Sequence, residues 1–345
     1  MYHFIIFAVS FVFVFLLTFL IRKVAVELNF IDKPEERKFH KTPTALMGGL
    51  SIFIGFIFVF FLTFFICSNL IPPLKQSLYF FIGLFLVVVL GLWDDKNGMT
   101  PHYKFSIQFI VTLIFIIGSG YTKLIGPWFI TVPILILWMV GLMNALNFLD
   151  NMDGITAGLA TILGLGYFAL GIVTRNHFIS LMSAIFMGST FGFLLHNFHP
   201  AKIFLGDAGS MLIGYMLSVL GIVLLTELPK DFSMFLPVLL LSYAIFDISL
   251  VSFTRKRDGR RVLQGGKDHS THRIGTATGS VRVTAIMVYL INIVMVLITF
   301  IVFKTSNQWV ILITTILFAL VFVFFGGQLD RIPILISQNQ LKSKK

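Results

Sequence analysis

Long apolar runs alternate with short polar segments along almost the entire chain. Most runs are close to the roughly 20 residues that an α-helix needs to span a bilayer, whereas Ser77–Leu92 and Phe105–Ser119 are shorter. Backbone polar groups must be satisfied inside a membrane, and continuous apolar runs favour helices over a closed barrel. We therefore predict an all-α polytopic membrane protein, a single domain over residues 1–345 that forms a bundle of about eleven transmembrane helices. The predicted spans are His3–Ile21, Ala45–Cys67, Ser77–Leu92, Phe105–Ser119, Thr131–Leu149, Ile155–Val173, Phe178–His196, Ala208–Thr226, Ser233–Thr254, Val281–Phe303 and Gln308–Phe325.

The composition excludes an ordinary soluble domain, because 57% of the residues are hydrophobic and only 12% are charged. The net charge of +11 fits either the positive-inside rule or attraction for anionic substrates, and charge alone favours the first. Cys67 is the one cysteine, so no intrachain disulfide forms. The N-terminus has neither a basic region nor a cleavage-like site, so we expect the first helix to be retained.

Lysine and arginine predict the orientation, because they are concentrated in the connections after every odd-numbered span and in the C-terminal tail. This asymmetry predicts an N-terminus outside the cell and a C-terminus in the cytoplasm, which requires an odd number of spans. Most acidic residues sort to the same side, with Glu227 and Asp231 as the exceptions. A transporter would need polar groups near the midplane with access to both faces, so the one-sided distribution argues against that class.

Asparagine and aspartate recur at every third position in one central stretch, at Asn144, Asn147, Asp150 and Asp153. Each such step turns about −60° on a regular helix, so the first and last side chains would face opposite ways. We therefore predict that the helix stops near Asp150 and that Gly154 allows the turn that follows. Polar groups at membrane depth indicate a functional site.

Asp94 and Asp95 follow the third span and repel each other unless a cation is near. A divalent metal or a cationic substrate pocket would explain the pair, and an interfacial turn is the alternative. Asp207 leads into the eighth span between Gly206 and Gly209. It is either a helix N-cap or a metal ligand beside glycines that let a phosphate approach the backbone.

The segment 255–280 is predicted to be a loop, and its basic run fits a topogenic signal or a contact with anionic lipids. Lys267, His269, His272 and Arg273 together suit phosphate binding, whereas zinc lacks a clear third ligand.

Three further residues each have two interpretations. Lys41, before Gly48 and Gly49, either contacts a phosphate or contributes to topology. Asn197 either reads a base edge or caps a helix. Asp247 lies inside a span and either pairs with the next loop or joins the site.

In this order, the polar segments resemble the polyprenyl-phosphate N-acetylhexosamine-1-phosphate transferase superfamily, of the glycosyltransferase family 4 type. The matching stretches are His40–Leu50, Trp93–Asp95, Asn144–Gly154, Asn197–Ser210 and Asp268–Arg273. The resemblance implies ten or eleven helices with the active site on the cytoplasmic face of the bacterial inner membrane. It also implies transfer of a sugar-1-phosphate from a UDP-sugar to undecaprenyl phosphate, with release of UMP and dependence on Mg²⁺ or Mn²⁺.

The branch of the superfamily is read from the last loop. The phospho-MurNAc-pentapeptide transferases carry three consecutive histidines there, whereas this chain has His269-Ser270-Thr271-His272-Arg273. That pattern is more similar to the branch that transfers GlcNAc-1-phosphate and initiates cell-envelope glycopolymers, although members of that branch often have adjacent histidines. The rival readings are the pentapeptide transferase, a transporter or flippase of lipid-linked sugars, and a non-catalytic scaffold. No nucleic-acid partner is expected, and a homodimer is left open.

The resemblance also suggests residue roles. Asp207 is the expected principal Mg²⁺ ligand, with Asp94 or Asp95 as the second and the remaining carboxylate orienting the nucleophile. Five loops, 22–44, 93–104, 149–154, 197–207 and 255–280, are expected to form the site. Asn147, Asp150 and Asp153 are placed at the nucleotide and sugar phosphate, Asn197 near the base, and His269, His272 and Arg273 at the leaving pyrophosphate. Lys41, Asn144 and Lys267 complete the predicted substrate-binding set.

Overall fold

Helices make up almost all of the protein. The computed structural model describes residues 2–32, 43–66, 74–228, 234–262 and 266–333. Among them, ten helices are long and apolar enough to cross a membrane, which confirms an all-α polytopic membrane protein. The helices are α1 (Tyr2–Glu27), α2 (Gly48–Ile66), α3 (Leu74–Asn97), α4 (Pro101–Ser119), α5 (Trp128–Leu149), α6 (Ile155–Val173), α7 (His177–Asn197), α8 (Gly206–Glu227), α9 (Phe235–Leu240), α10 (Ser242–Arg257), α11 (Ser270–Thr278), α12 (Val281–Thr305) and α13 (Gln308–Asp330).

The predicted span Ser233–Thr254 is not one continuous helix. It consists of α9 and α10, which meet at Leu241. Leu241 has φ −96° and ψ 13°, outside the helical region, so α9 ends there after six residues. The predicted start of this span, Ser233, lies outside the described residues. The apolar pattern continues through the break, which is why periodicity alone did not detect it.

The last polar connection was predicted to be a loop, and this is wrong for its second half, which forms α11. The helix starts after His269, whose backbone is extended, and ends at Gly279, where φ is +68°. A glycine accepts this left-handed conformation without strain, so it ends a helix readily. The start is stabilised by Asp247, which accepts a hydrogen bond from the Ser270 amide at 2.8 Å.

A small β-ribbon precedes α2. Strand β1 (Ile31–Asp32) pairs antiparallel with β2 (Thr44–Ala45), and Ile31 lies opposite Ala45. Ala45 was predicted to begin the second span, but it belongs to β2 and the helix begins at Gly48. Ala45 also bridges Ile203 in parallel. The ribbon therefore ties the segment before α2 to the segment before α8.

Helix α8 lies at the centre of the bundle and packs against α2, α3 and α5, with most of its residues buried. Small residues allow this close approach. A Cβ on Gly49 would lie 2.2 Å from the Gly209 nitrogen, and a Cβ on Gly91 would lie 2.2 Å from the Ala208 Cα. Helices α12 and α13 are mostly exposed, as expected for helices that face lipid. The position of α8 matters because its first turn carries Asp207.

Candidate active site

Two carboxylates from different helices share one ammonium group at one end of the bundle. The Lys104 Nζ, in the first turn of α4, lies 2.8 Å from Asp94 Oδ2 near the end of α3. The same atom lies 2.6 Å from Asp207 Oδ2 at the start of α8. Lys104 and Asp94 are largely buried, whereas a third of the Asp207 side chain is exposed. Asp207 is therefore the most accessible member of this cluster.

Asp207 is held by neutral partners as well as by Lys104. The Asn147 side-chain amide, in the last turn of α5, donates to Asp207 Oδ1 at 2.7 Å and to Ser210 Oγ at 2.9 Å. Asn147 also accepts a longer bond from Lys104, at 3.4 Å. Hydrogen bonds to both oxygens of a carboxylate fix its orientation and favour its ionised form. The end of α3, the start of α4, the end of α5 and the start of α8 thus converge on one cluster of side-chain oxygens.

Asp95 has a different task from its neighbour Asp94. Its carboxylate accepts hydrogen bonds from the Asp207 amide at 2.8 Å and the Ala208 amide at 3.2 Å. The first amides of a helix have no partner within the helix, so Asp95 caps α8 from outside. Asp207 lies inside the first turn and does not serve as the N-cap.

The glycines beside Asp207 are explained by packing. Gly206 has φ +74°, and a Cβ there would lie 2.6 Å from Asp95 Oδ2. Gly209 faces Leu205 and Gly49 at similar range. The positions of these missing side chains are therefore occupied by a protein carboxylate and neighbouring residues, and the approach of a phosphate to this backbone stays a prediction.

The turn after α5 brings Asp150 close to the same cluster. The helix ends at Leu149, and Gly154 adopts φ +77°, so both the predicted stop and the predicted turn are confirmed. Burial, together with the charges of Asp207 and Asp95, raises the pKa of Asp150 to about 8. A carboxyl group with such a pKa is largely protonated at neutral pH until a cation approaches.

Asp153 contacts the segment before α8. Its Oδ2 lies 2.7 Å from His199 Nδ1 and accepts from the Ala201 amide at 3.0 Å. Asn197 supports the same turn, because it accepts from the Gly154 amide and donates to the Ile203 carbonyl, at 3.1 and 3.0 Å. Both polar groups of the Asn197 side chain are therefore engaged with the backbone, and its contact with a base stays a prediction.

Helix α11 approaches the turn after α5 from the other side. Thr271 donates to the Asn151 side-chain oxygen at 2.7 Å. The His269 ring meets the Phe148 ring edge-on at a centroid distance of 5.9 Å. Phe148 directly follows Asn147, which donates a hydrogen bond to Asp207. His269 therefore packs against a residue that is adjacent to Asn147 in the chain.

The other polar residues of the last connection form an ionic network with one another. Asp268 pairs with Arg255 at 2.6 Å and with Arg260 at 2.7 Å. Burial opposes the charge of Asp268, but Arg255 outweighs this and lowers the pKa of Asp268 to about 2. Arg273 donates to the Leu329 carbonyl and lies 3.2 Å from Asp330, so its guanidinium binds the end of α13.

His272 and Lys267 lie close to His269. Burial and the neighbouring charges of His269 and Lys267 lower the pKa of His272 to about 3. The imidazole of His272 is therefore neutral at physiological pH before an anion binds. The pyrophosphate roles of His272 and Arg273 and the substrate role of Lys267 stay predictions.

The predicted binding residue Asn144 lies apart from this cluster. Asn144 is buried and donates to Gln108 at 2.7 Å and to the Val140 carbonyl at 2.8 Å, which holds α5 against α4. Its substrate role also stays a prediction. Lys41 lies outside the described residues.

Lys104 and His199 are site residues that were missed from the sequence. Lys104 was counted only within the predicted loop 93–104. A lysine in the first turn of a helix is unfavourable to the helix dipole, and this was a usable signal of an acidic partner. His199 stands beside Asn197 in one of the matching stretches, but nothing in its spacing indicates Asp153 as its partner.

The comparisons with known proteins agree with this architecture. A model of glycosyl transferase family 4 matches residues 77–225. A probable undecaprenyl-phosphate N-acetylglucosaminyl 1-phosphate transferase of Bacillus subtilis is 32% identical over 88% of this chain and 85% of its own length. A decaprenyl-phosphate N-acetylglucosaminephosphotransferase of Mycobacterium tuberculosis is 30% identical over 78% of this chain and 75% of its own. A phospho-N-acetylmuramoyl-pentapeptide-transferase of Streptococcus suis is 27% identical over 69% and 77%, respectively.

The fold and the relatives together define a multi-pass membrane enzyme of the phospho-sugar transferase class. The chain belongs to glycosyl transferase family 4. This confirms the predicted resemblance to the polyprenyl-phosphate N-acetylhexosamine-1-phosphate transferases.

Proposed function

We propose that this protein transfers GlcNAc-1-phosphate from UDP-GlcNAc to undecaprenyl phosphate, with release of UMP. The product, undecaprenyl-diphosphate-GlcNAc, would be the starting unit of a cell-envelope glycopolymer. The names of the relatives from B. subtilis and M. tuberculosis support the sugar and the polyprenyl acceptor. The phospho-N-acetylmuramoyl-pentapeptide-transferase of S. suis is less similar over a smaller share of this chain, which favours the GlcNAc branch.

The observation that carries the proposal is the convergence of Asp94 and Asp207 on one cationic group, at 2.8 and 2.6 Å from Lys104 Nζ. Phosphoryl transfer needs little covalent help from protein and depends on alignment and neutralised charge. A cluster that already balances carboxylates with an ammonium suits this chemistry. It lies at one end of the helices, where a lipid-borne phosphate and a water-soluble nucleotide can both arrive.

The carboxylates fit a Mg²⁺ ion, which proteins hold with one or two carboxylates plus substrate phosphates. Among the described residues, no group of three histidine, cysteine or acidic side chains surrounds a common point, so substrate oxygens would complete the shell. Asp207 and Asp94 would hold the metal in place of their shared contact with Lys104, because Asp95 is engaged with the amides at the start of α8. When bound, Mg²⁺ would neutralise phosphate charge and polarise the phosphorus that is attacked.

The chain's own residues account for the remaining steps. Asn147, which also donates to Ser210, fixes the orientation of Asp207, and Lys104 supplies a positive charge for the phosphates. An oxygen of the lipid phosphate bonds to the sugar-bearing phosphorus, the bond from that phosphorus to the bridging oxygen breaks, and its electrons remain on UMP. A phosphate monoester with a second pKa of about 6 is already largely dianionic at neutral pH, so no strong base is required.

The lysine and arginine distribution supports a cytoplasmic site in the bacterial plasma membrane. The connections at the end of the bundle that carries Asp94, Lys104 and Asp207 are the basic ones. A UDP-sugar is made and held in the cytoplasm, so this orientation gives the donor direct access.

The test is UMP release by purified protein with Mg²⁺, undecaprenyl phosphate and one UDP-sugar at a time. We expect turnover with UDP-GlcNAc and none with UDP-MurNAc-pentapeptide. Turnover with the pentapeptide donor alone would replace the proposed branch by the pentapeptide transferase. Absence of turnover with every UDP-sugar, in protein that is folded by thermal melting, would overturn the reaction.

A matched pair of variants on α8 tests the site. Asp207→Asn should lower kcat by at least about 100-fold, since it removes the carboxylate that is proposed to hold Mg²⁺ at the reacting phosphates. Glu227→Gln changes the same kind of group at the opposite end of the helix and should leave kcat near the wild-type value. Metal-dependent turnover retained by Asp207→Asn would exclude Asp207 as a ligand.

A further inference from the structure

Asp247 is an acidic residue inside the bundle that the proposed reaction does not use. It lies on α10, and its side chain is fully buried. Its Oδ2 lies 2.8 Å from His269 Nδ1. Its Oδ1 accepts from the Ser270 amide at 2.8 Å and from the Ser270 hydroxyl at 2.6 Å. The Tyr243 hydroxyl, one turn earlier on α10, lies 2.9 Å from the same Ser270 oxygen.

A buried carboxylate without partners is strongly unfavourable, and an apolar residue would serve packing alone at least as well. Ser270 satisfies Oδ1 twice over, which is sufficient to anchor the start of α11. The bond from Oδ2 to His269 adds a second function, because it engages a titratable ring rather than a backbone group.

The bond to Asp247 determines which nitrogen of His269 is available. An ionised carboxylate only accepts hydrogen bonds, so Nδ1 of His269 carries a proton and donates to Asp247, and Nε2 is the remaining polar atom of the ring. The ring is packed between Phe148 and His272, at centroid distances of 5.9 and 6.0 Å. These two contacts and the Asp247 bond hold the imidazole in one orientation.

Contacts of α11 and Phe148 connect the His269 imidazole to the proposed active site. Thr271 is bonded to Asn151, in the turn that carries Asp150. Phe148, against which His269 packs, directly follows the Asn147 that holds Asp207. A rotation of the His269 imidazole would therefore disturb residues that are adjacent to the proposed phosphate site.

We propose that Asp247 is a positioning residue that holds the His269 imidazole with Nδ1 protonated, so that Nε2 serves the departing nucleotide phosphate. The inference rests on the proposed transfer reaction and adds a residue outside the site to it. When UMP leaves, negative charge develops on the oxygen that bridged the two phosphorus atoms. His269 stabilises that charge through Nε2–H as an imidazolium, and Asp247 balances the charge of the imidazolium. No proton needs to be transferred, so the step balances with the bond changes already given.

The kinetic test is a double-mutant cycle in purified protein with UDP-GlcNAc and undecaprenyl phosphate. His269→Gln and Asp247→Asn should each lower kcat at least about tenfold, with a smaller change in the KM for UDP-GlcNAc, because the contact strengthens as charge develops. The double variant should resemble His269→Gln alone to within about threefold. Effects on kcat that multiply in the double variant would overturn the coupling. A wild-type kcat for Asp247→Asn would overturn the role of Asp247.

A spectroscopic test is independent of activity. In protein with ¹⁵N-labelled histidine, the resonance that disappears in His269→Gln should show a protonated, strongly hydrogen-bonded Nδ1, and Asp247→Asn should shift it. The matched control is Asp258→Asn, which neutralises a partly exposed acid directly after the same helix and should leave both kcat and the resonance unchanged. A His269 signal with Nδ1 unprotonated in the wild type would contradict the proposal even if no substrate turns over. A wild type that shows the expected signal but no UMP release would instead count against the proposed reaction.

Discussion

Lys104 and Asp207, which are 103 residues apart in the chain, meet with Nζ 2.6 Å from Oδ2. The contact joins the first turn of α4 to the first turn of α8. It places a cation between two carboxylates that would otherwise face each other, since Asp94 lies 2.8 Å from the same ammonium. Lys104 is therefore the residue on which the electrostatic balance of the site depends.

Replacing Lys104 by methionine keeps most of the side-chain volume and removes the charge. We expect Lys104→Met to lower kcat for UMP release by about 100-fold, because Asp94 and Asp207 then repel each other and the phosphates lose a positive partner. Lys256→Met, at an exposed position on α10, is the control and should retain wild-type turnover. Equal turnover by the two variants would show that the ammonium has no part in the reaction.

Asp95 should behave as a structural cap rather than as a second copy of Asp94. Asp95→Ala leaves the Asp207 and Ala208 amides without their partner, and we expect a loss of about 1–2 kcal/mol in stability. Asp95→Asn retains an acceptor oxygen and should lose less. The measurement is the thermal unfolding midpoint in detergent. If the alanine variant melts at the wild-type temperature, the capping role is wrong.

Close packing of α3 on α8 predicts a sharp difference between two glycines. A Cβ on Gly91 would lie 2.2 Å from the backbone of Ala208, whereas a Cβ on Gly141 of α5 meets nothing within 4 Å. Gly91→Ala should therefore separate the helices and cost about 1–3 kcal/mol, with reduced turnover because Asp207 is adjacent. Gly141→Ala should be neutral or slightly stabilising. Thermal unfolding midpoints of the two variants give the comparison, and equal midpoints would refute it.

His272 predicts a loss of stability in mild acid. Burial lowers the pKa of His272 to about 3 in the folded protein, whereas the unfolded chain takes up the proton near pH 6.5. The unfolded state therefore binds more protons between these values, and stability falls as the pH is lowered through this window. The contribution of this one residue between pH 7 and pH 5 is about 2 kcal/mol.

The measurement is the unfolding midpoint of wild type and His272→Gln from pH 7 to pH 5. The variant has no group to protonate at this position, so its midpoint should fall less steeply. Parallel curves for the two proteins would mean that His272 is not responsible for the acid sensitivity.

The helices were largely predictable because the bilayer thickness sets the length of a spanning helix and continuous hydrophobicity marks its position in the sequence. The stop of α5 before Asp150 also followed from the sequence, since the three-residue spacing of its polar side chains is incompatible with one face of a helix. The break at Leu241 and the helix after His269 did not follow. In both cases the backbone depends on partners distant in sequence, such as Asp247 at the start of α11.

The sequence identified the acidic residues near the site, but it did not show which contacts each of them makes. Asp94 and Asp95 are neighbours with the same chemistry, yet one faces Lys104 and the other caps α8. That division is set by the direction in which each side chain leaves the end of α3. Arg273 likewise looks like a phosphate ligand in the sequence, but its guanidinium reaches the end of α13.

The burial of α8 has a consequence for how substrates enter. Because α8 is enclosed by α2, α3 and α5, it cannot tilt or slide without displacing these helices. Asp207 lies in the first turn of α8 and therefore keeps its position during the catalytic cycle. The adjustments that admit a donor and release a nucleotide therefore fall to segments other than α8.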